Sequence, residues 1–523
     1  MINRRDFLNF LGKGFLVTSF SPLILKGVEK INNKPVLSST IFPSKLDEVV
    51  LHNDLNYELL VTWGEKISSK DRFGFNNDYI GFIKGKNRSE GYLWVNHEYV
   101  HPLFFSSKTA EKKTLSDIKK EMYNVGGSFF KIKLKRGNWQ IDLSADENKR
   151  VSALDKIPFD DQIIIQGSNT TVGTLANCSG HITPWNTVLT CEENYDMFYG
   201  ERDRKNGKIV YPSYTLGWEK HFPFPPEHYG WVVEIDPFTN KKRKLISLGR
   251  CAHECAHLKE LDDGRLVVYT GDDIDNGCIY KFVSKYPKDL TTGKLYVASL
   301  EQKKWIPVDY DQHKILQENF ESQLEVLTYL REASKLIGGT ELDRPEDIDI
   351  DPLEQGVYIA LTNNYLKNNF HGSILKIVEN GNKHDSENFE FEYLVSGGEE
   401  TGFSCPDNLI FDKVGNLWFT SDISGSRLNK PPFEKFGNNG LFVLIRNGEN
   451  AGRIIQVASA PVEAEFTGPC FSPDWKTLFL SVQHPGEKSI SLRNTSSKWP
   501  KEKGGPKPAV ISISGKLLKD IMT

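Results

Sequence analysis

Along this chain, apolar and polar positions alternate in short runs rich in β-branched and aromatic residues. The runs fall at 57–65, 79–84, 91–99, 128–141, 187–191, 231–235, 265–269, 278–283, 294–298, 357–362, 373–378, 389–395, 416–420, 440–445, 453–457 and 477–482. Gly, Asp, Asn and Pro close them, so each predicts a short β-strand. Several strands follow a shared pattern of an apolar residue, an Asp-containing turn and a new apolar run. Examples are Leu261-Asp262-Asp263-Gly264-Arg265-Leu266, Phe411-Asp412-Lys413-Val414-Gly415-Asn416-Leu417-Trp418 and Phe471-Ser472-Pro473-Asp474-Trp475-Lys476-Thr477-Leu478. Each reads as a hairpin, the unit of a propeller blade. Such units recur over roughly 400 residues, too many for one sandwich, so the expected fold class is all-β, a β-propeller. Residues 111–121 and 317–336 have helical spacing without Gly or Pro and predict short inserted helices. The Ser/Lys/Pro-rich stretch 487–508 predicts a long surface loop.

The N-terminus departs from this pattern. Arg4-Arg5 precede Phe7-Leu8 and a modestly apolar run at 10–25 that contains Gly12, Lys13 and Gly14. The run is too short and too polar to span a bilayer stably. The combination resembles a twin-arginine export signal over 1–30, leaving 45–523 as a single propeller domain. The first alanine is Ala110, so no Ala-x-Ala cleavage site can be drawn. The signal is then cut at other small residues or stays as a membrane anchor. The expected location is periplasmic or secreted, with the twin-arginine translocation machinery as a partner.

Composition narrows the function. With 65 Lys+Arg against 69 Asp+Glu among 523 residues, the net charge of −4 argues against a nucleic-acid-binding surface. A hydrophobic fraction of 38% with 11% aromatic residues excludes disorder as the main state. Seven cysteines form no regular disulfide framework, and the odd count leaves at least one thiol unpaired. No Gly-rich phosphate loop or Gly-x-Ser-x-Gly elbow occurs, which argues against nucleotide-dependent and serine-hydrolase chemistry.

Acidic residues gather at strand ends: Glu98 in Asn96-His97-Glu98, Glu193 after Cys191-Glu192, Glu254 after His253, Asp272-Asp273 after Gly271, Asp407 after Pro406, and Glu465. Taken singly, each is as well explained as a turn former in solvent. In a propeller, equivalent blade positions open onto one axial pocket, where like charges repel unless cations compensate them. Convergent carboxylates therefore imply hard metal ions, Ca2+ above all, or Fe3+. In Arg344-Pro345-Glu346 the arginine suits a phosphate and the glutamate a metal, and strand positions i and i+2 share a side. Cys178 reads equally as a metal-bound thiolate or a buried thiol, and His253 as a structural histidine.

The run Asn177-Cys178-Ser179-Gly180-His181-Ile182-Thr183-Pro184-Trp185-Asn186-Thr187-Val188-Leu189-Thr190-Cys191-Glu192-Glu193-Asn194 resembles the signature of the PhoX family of secreted alkaline phosphatases. So do Asn96-His97-Glu98-Tyr99, Arg344-Pro345-Glu346-Asp347, Pro406-Asp407-Asn408-Leu409, and the stretch from Thr467-Gly468-Pro469 to Gln483-His484-Pro485-Gly486. The resemblance implies a six-bladed propeller with Fe3+ and Ca2+ on its axis, hydrolysing phosphate esters outside the cytoplasm. It implies iron ligands at Cys178, Glu254 and Glu346, a phosphate clamp at Arg344, and calcium ligands at Glu193, Glu98, Asp272, Asp407 and Glu465. The expected partners are small phosphate esters, and the chain is expected to act as a monomer. Three positions depart from the family pattern: Asn186, Cys255 and Trp475 stand where glycine is usual. Residues 152–165 match nothing in that pattern. Two alternatives stay open at this point, a calcium-dependent propeller hydrolase of lactonase type and a non-enzymatic propeller binding module.

Overall fold

A computed structural model describes residues 40–212 and 215–523, and these form one compact unit. The export signal read at 1–30 lies outside the described residues. Six antiparallel sheets follow one another around an axis as propeller blades. Blade 1 comprises Asn77–Lys84, Glu90–His97, Gly126–Lys135 and Asn138–Ile141, and blade 2 comprises Asn177–Ile182, Val188–Glu192, Val232–Ile235 and Lys242–Leu245. Blade 3 comprises His257–Glu260, Leu266–Gly271, Ile279–Ser284, Gly293–Ser299 and Lys304–Pro307. Blade 4 comprises Pro345–Ile350, Val357–Leu361, Ser373–Glu379 and Phe389–Ser396. Blade 5 comprises Pro406–Phe411, Leu417–Ser421, Gly440–Leu444 and Ile454–Ser459, with Val50–Leu51 on its edge.

Blade 6 closes the ring. Its inner strands Glu465–Phe471, Thr477–Gln483 and Ala509–Gly515 come from the end of the chain, and its outer strand Leu55–Thr62 comes from the beginning. Tyr57 pairs with Ile513 in this seam. Pairing early and late segments hydrogen-bonds edges that would otherwise stand open.

The blades are held by apolar side chains that interlock between neighbouring sheets. Tyr269, Ile279 and Trp305 of blade 3 pack on Ile348, Ile359 and Leu375 of blade 4. Ile80, Leu93 and Phe130 of blade 1 pack on Phe479 and Val510 of blade 6. Each fully buried side chain of this kind contributes about 1.5–3 kcal/mol.

The inserted helices differ in detail from expectation. The first is Leu115–Asn124, because Thr114 and Asp117 form a capping box that fixes its start. The stretch at 317–336 is three short helices, Lys314–Asn319, Gln323–Thr328 and Leu330–Leu336. Extended Phe320 ends the first, and Ser322 caps the second. The predicted strand at 128–141 is two strands, split where Arg136 and Gly137 turn with positive φ. Within 487–508 the only helical element is the 3-10 turn Lys501–Lys503. All seven cysteines are free thiols.

Candidate functional site

A local device recurs where the innermost strands begin. Asn76, Ala176, Arg344, Cys405 and Glu463 all have left-handed backbone, with φ of 41°, 53°, 52°, 53° and 62°. Two residues after each stands Asp78, Cys178, Glu346, Asp407 or Glu465. In blades 1, 2, 4 and 5 the ladder to the second strand shifts register just there, between Asn77 and Ile80, Asn177 and Gly180, Pro345 and Ile348, and Pro406 and Leu409. A left-handed non-glycine residue costs on the order of 1–3 kcal/mol, and a bulge re-aims the side chain that it carries. Here the strain turns one polar side chain per blade into the axial cavity.

Blade 3 reaches the same result through hydrogen bonds to its main chain. Ala252 N donates to Asp272 Oδ1 at 2.9 Å, and Ser179 N donates to the Glu254 carbonyl at 2.9 Å. This holds Glu254 level with its neighbours. A second ring of side chains comes from the ends of the second strands: Glu98, Glu193, Asp273, Asp422 and His484. Because the two inner strands of a blade are antiparallel, the start of one and the end of the other lie at the same mouth.

The two rings enclose a cavity of about 290 Å3 lined by ten carboxylates, Cys178 and Arg344. The donor atoms of Asp78, Glu98 and Cys178 lie within 4.8 Å of one another, as do those of Cys178, Glu193 and Glu254, and those of Glu254, Glu346 and Asp407. Cys178 and Glu254 are shared, so the three groups form one continuous cluster. Cys178 Sγ is 3.2 Å from Glu254 Oε1 and 3.6 Å from Asp78 Oδ2. Asn96 holds this segment by donating to the Cys178 carbonyl at 2.7 Å, and Gln483 Nε2 donates to Asp78 Oδ2 and Glu98 Oε2 at 2.9 and 3.0 Å.

Burial raises the carboxyl groups of Asp78, Glu193, Glu254, Glu346, Asp407 and Glu465 well above the ordinary range, and their acidic neighbours add to it, with Arg344 opposing the shift at Glu346. Burial and then Asp78 push up the Cys178 thiol in the same way. Asp78 Oδ1, Glu465 Oε2 and Gln483 Oε1 are buried without a hydrogen-bond partner. Unpaired buried acceptors in a like-charged cluster cost several kcal/mol together unless cations are bound there. The donor set of carboxylate oxygens with one sulfur fits a cluster of hard cations that includes one accepting a thiolate.

Of the residues singled out from sequence, Glu98, Cys178, Glu193, Glu254, Arg344, Glu346, Asp407 and Glu465 all line this cavity. Asp272 does not. Its carboxylate is held by Arg331 through Nε and Nη2 at 2.7–2.9 Å and by Ala252 N, and the next residue, Asp273, faces the cavity instead. Arg344 meets Glu346 at 2.8 Å, through the left-handed turn and bulge rather than plain strand alternation. Asp273 takes Arg344 Nε and Nη2 at 2.8 and 2.7 Å.

Asp78, Asp273, Asp422 and Glu487 complete the ten carboxylates; Asp273 was noted in sequence only as the neighbour of Asp272, and the other three were not selected. For Asp78 a signal existed, since it directly precedes the predicted strand 79–84. Cys255 is 1% exposed, packs in the core between blades 3 and 4, and lies 3.7 Å from the Glu346 carbonyl, so its role is packing. Asn186 and Trp475 both have left-handed backbone, with φ of 66° and 60°, which explains why glycine suits those positions. No residue of 152–165 lines the cavity.

The family model described as "Alkaline phosphatase PhoX" matches residues 33–486. The structure of Pseudomonas fluorescens PhoX in complex with vanadate, a transition state analogue, is 27% identical, with a TM-score of 0.80 over 92% of this chain and 98% of that one. A gluconolactonase from Xanthomonas campestris is 10% identical, with a TM-score of 0.40 over 91% of this chain and 97% of that one. No curated protein sequence matches this one. The family assignment sets aside the reading as a non-enzymatic binding module. With the six-bladed fold and the acidic axial cavity in place, this chain belongs to the PhoX alkaline phosphatase family and is a phosphoric ester hydrolase.

Proposed function

We propose that the axial cavity holds Fe3+ and Ca2+ together and hydrolyses phosphate esters outside the cytoplasm. The observation that carries this reading is the set of three donor groups joined through Cys178 and Glu254. Cys178, Glu254 and Glu346 are the proposed iron ligands, and Glu98, Glu193, Asp407 and Glu465 the proposed calcium ligands. Asp273 takes the place first given to Asp272, and Asp78 joins the set. Bound cations would offset the charge of a phosphate ester and lower the pKa of an attacking water.

The chain's own residues do the positioning. Asp273 fixes the guanidinium of Arg344 along the Nε and Nη2 edge, while Nη1 is 3.8 Å from Asp422 Oδ2 and is left for a phosphate oxygen. Asn194 and Gln483 orient Glu98 by donating to its two oxygens at 3.0 Å each. Residues 1–30 serve as the twin-arginine signal and 45–523 as the catalytic domain, acting as a monomer in the periplasm or outside the cell.

The test is elemental analysis and ester turnover of protein exported by its own signal. Iron and calcium are expected together, and fully active protein with calcium but no iron would overturn the assignment. Arg344→Ala should keep its metals and lose turnover by about 2–4 kcal/mol, or roughly 30- to 1,000-fold. Glu346→Ala should lose iron and activity together. If both variants lose metal equally, Arg344 is structural and the clamp is wrong. Replacing Arg4-Arg5 by lysines should trap the protein in the cytoplasm, and unaltered export would show that the signal was misread.

A further inference from the structure

The chain from Gly486 to Pro506 leaves the cavity mouth and returns beside its own start. A Cβ on Gly486 would meet Pro506 Cγ at 3.0 Å, and Glu487, the next residue, lines the cavity. The excursion is a compact loop rather than a slack one. Ser489 Oγ donates to the Gly486 carbonyl at 2.6 Å and accepts from Ser496 N at 3.0 Å. Trp499 is 3% exposed, and Lys498 N donates to Asp47 Oδ2 at 2.6 Å. Loops closed in this way, with their ends together and their own side chains packed inside, are compact surface elements that frequently carry function.

What the loop presents is unusual for its surroundings. Ile490 is 94% exposed and Leu492 is 56% exposed, and Arg493, next in the chain, and Lys498, further along the same loop, are exposed too. Between 487 and 507 the sequence has six Lys/Arg against two Glu, in a chain whose net charge is −4. Lys488 Cε lies 3.3 Å from the Cβ position of Gly425, which also lines the cavity, so the basic side of the loop borders the mouth. Isolated exposed apolar residues need no explanation, but two exposed apolar residues flanked in sequence by Lys488 and Arg493, on a loop with a net positive charge, match the composition of interfacial membrane binding. Basic residues near an anionic bilayer are drawn to its surface, and the exposed apolar residues add a burial term that a soluble polyanion would not supply.

We propose that the 486–506 loop docks this enzyme on anionic lipid bilayers, with Ile490 and Leu492 entering the headgroup boundary and Arg493 and Lys498 on lipid phosphates. The inference is independent of which metals the cavity holds. Hydrogen-exchange mass spectrometry on the full chain reads this loop apart from the N-terminal segment. Vesicles of phosphatidylcholine with phosphatidylglycerol should protect the amides of 488–496, and vesicles of phosphatidylcholine alone should not. Ile490→Ser with Leu492→Ser should lower that protection about tenfold while hydrolysis of a soluble ester stays unchanged. Arg493→Glu with Lys498→Glu should remove the lipid preference. Equal protection by both vesicle types, no protection by either, or protection that the serine variant retains would each overturn the proposal. So would sedimentation showing a dimer that the serine variant abolishes, because a second copy would then be the occupant.

Discussion

The two ends of the axial channel are built from the same six strands, yet they treat buried aspartates in opposite ways. At the mouth, the carboxylates of Asp78, Glu346 and Asp407 face one another across a cavity of about 290 Å3. At the far end, a cavity of the same size contains Asp347 and Asp349. Those two carboxylates are held by backbone amides: Asp347 accepts from Ile348 N and Leu409 N at 2.9 and 3.1 Å, and Asp349 from Ile350 N and Phe411 N at 2.8 and 2.7 Å, with His257 Nδ1 3.3 Å from Asp349 Oδ1. In both cases a blade 4 carboxylate grips the inner strand of blade 5. A buried acid can be satisfied by amides or by cations, and its bulge or strand position decides which.

The largest effect should follow metal removal. Exhaustive chelation should abolish ester hydrolysis, and restoring iron with calcium should recover it; activity that survives complete removal would place the chemistry elsewhere. Cys178→Ser should come next, with loss of iron and a fall in turnover of at least about a hundredfold, since it removes the donor shared by two of the groups. Asp347→Ala tests the other end. It leaves Leu409 N without its acceptor and should lower unfolding stability by about 1–3 kcal/mol with metal content unchanged. Metal loss in that variant would break the distinction between the two ends.

Acidity should also separate them. At the mouth, protons compete with cations for carboxyl groups already raised by burial, so metal should be released as pH falls. At the far end, burial pushes Asp349 up to about 8. Its folded pKa lies above the unfolded value of about 3.9, so this group favours folding at low pH, and that contribution fades as pH rises through about 8. Thermal midpoints of wild type relative to Asp349→Asn, measured from pH 5 to 9, should therefore fall as pH rises. A flat difference would mean that Asp349 does not titrate in this range.

The smallest effect belongs to the turn joining the inner strands of blade 2. Asn186→Ala places a residue poorly suited to φ of 66° there and should cost about 1 kcal/mol, with activity unchanged. An unaltered midpoint would show that the turn relaxes.

The sequence by itself determined the repeated strand pattern and most of the cavity. Second strands such as those predicted at 357–362 and 477–482 were legible because neighbouring sheets bury both of their faces, leaving near-continuous apolar runs. Cys178, Glu254, Arg344 and Glu346 were legible because they stand in dense motifs. The innermost strands Asn177–Ile182, His257–Glu260, Pro345–Ile350, Pro406–Phe411 and Glu465–Phe471 were not. They face the axis, so polar side chains, prolines and bulges replace the apolar alternation by which strands are recognised. Only the tertiary structure could choose between Asp272 and Asp273, adjacent and chemically identical. Arg331, on an inserted helix far along the chain, takes the first, and Arg344 holds the second at the cavity. Spacing along a sequence carries no record of such distant partners, because the ring closes only when the sixth blade accepts the strand that began the propeller.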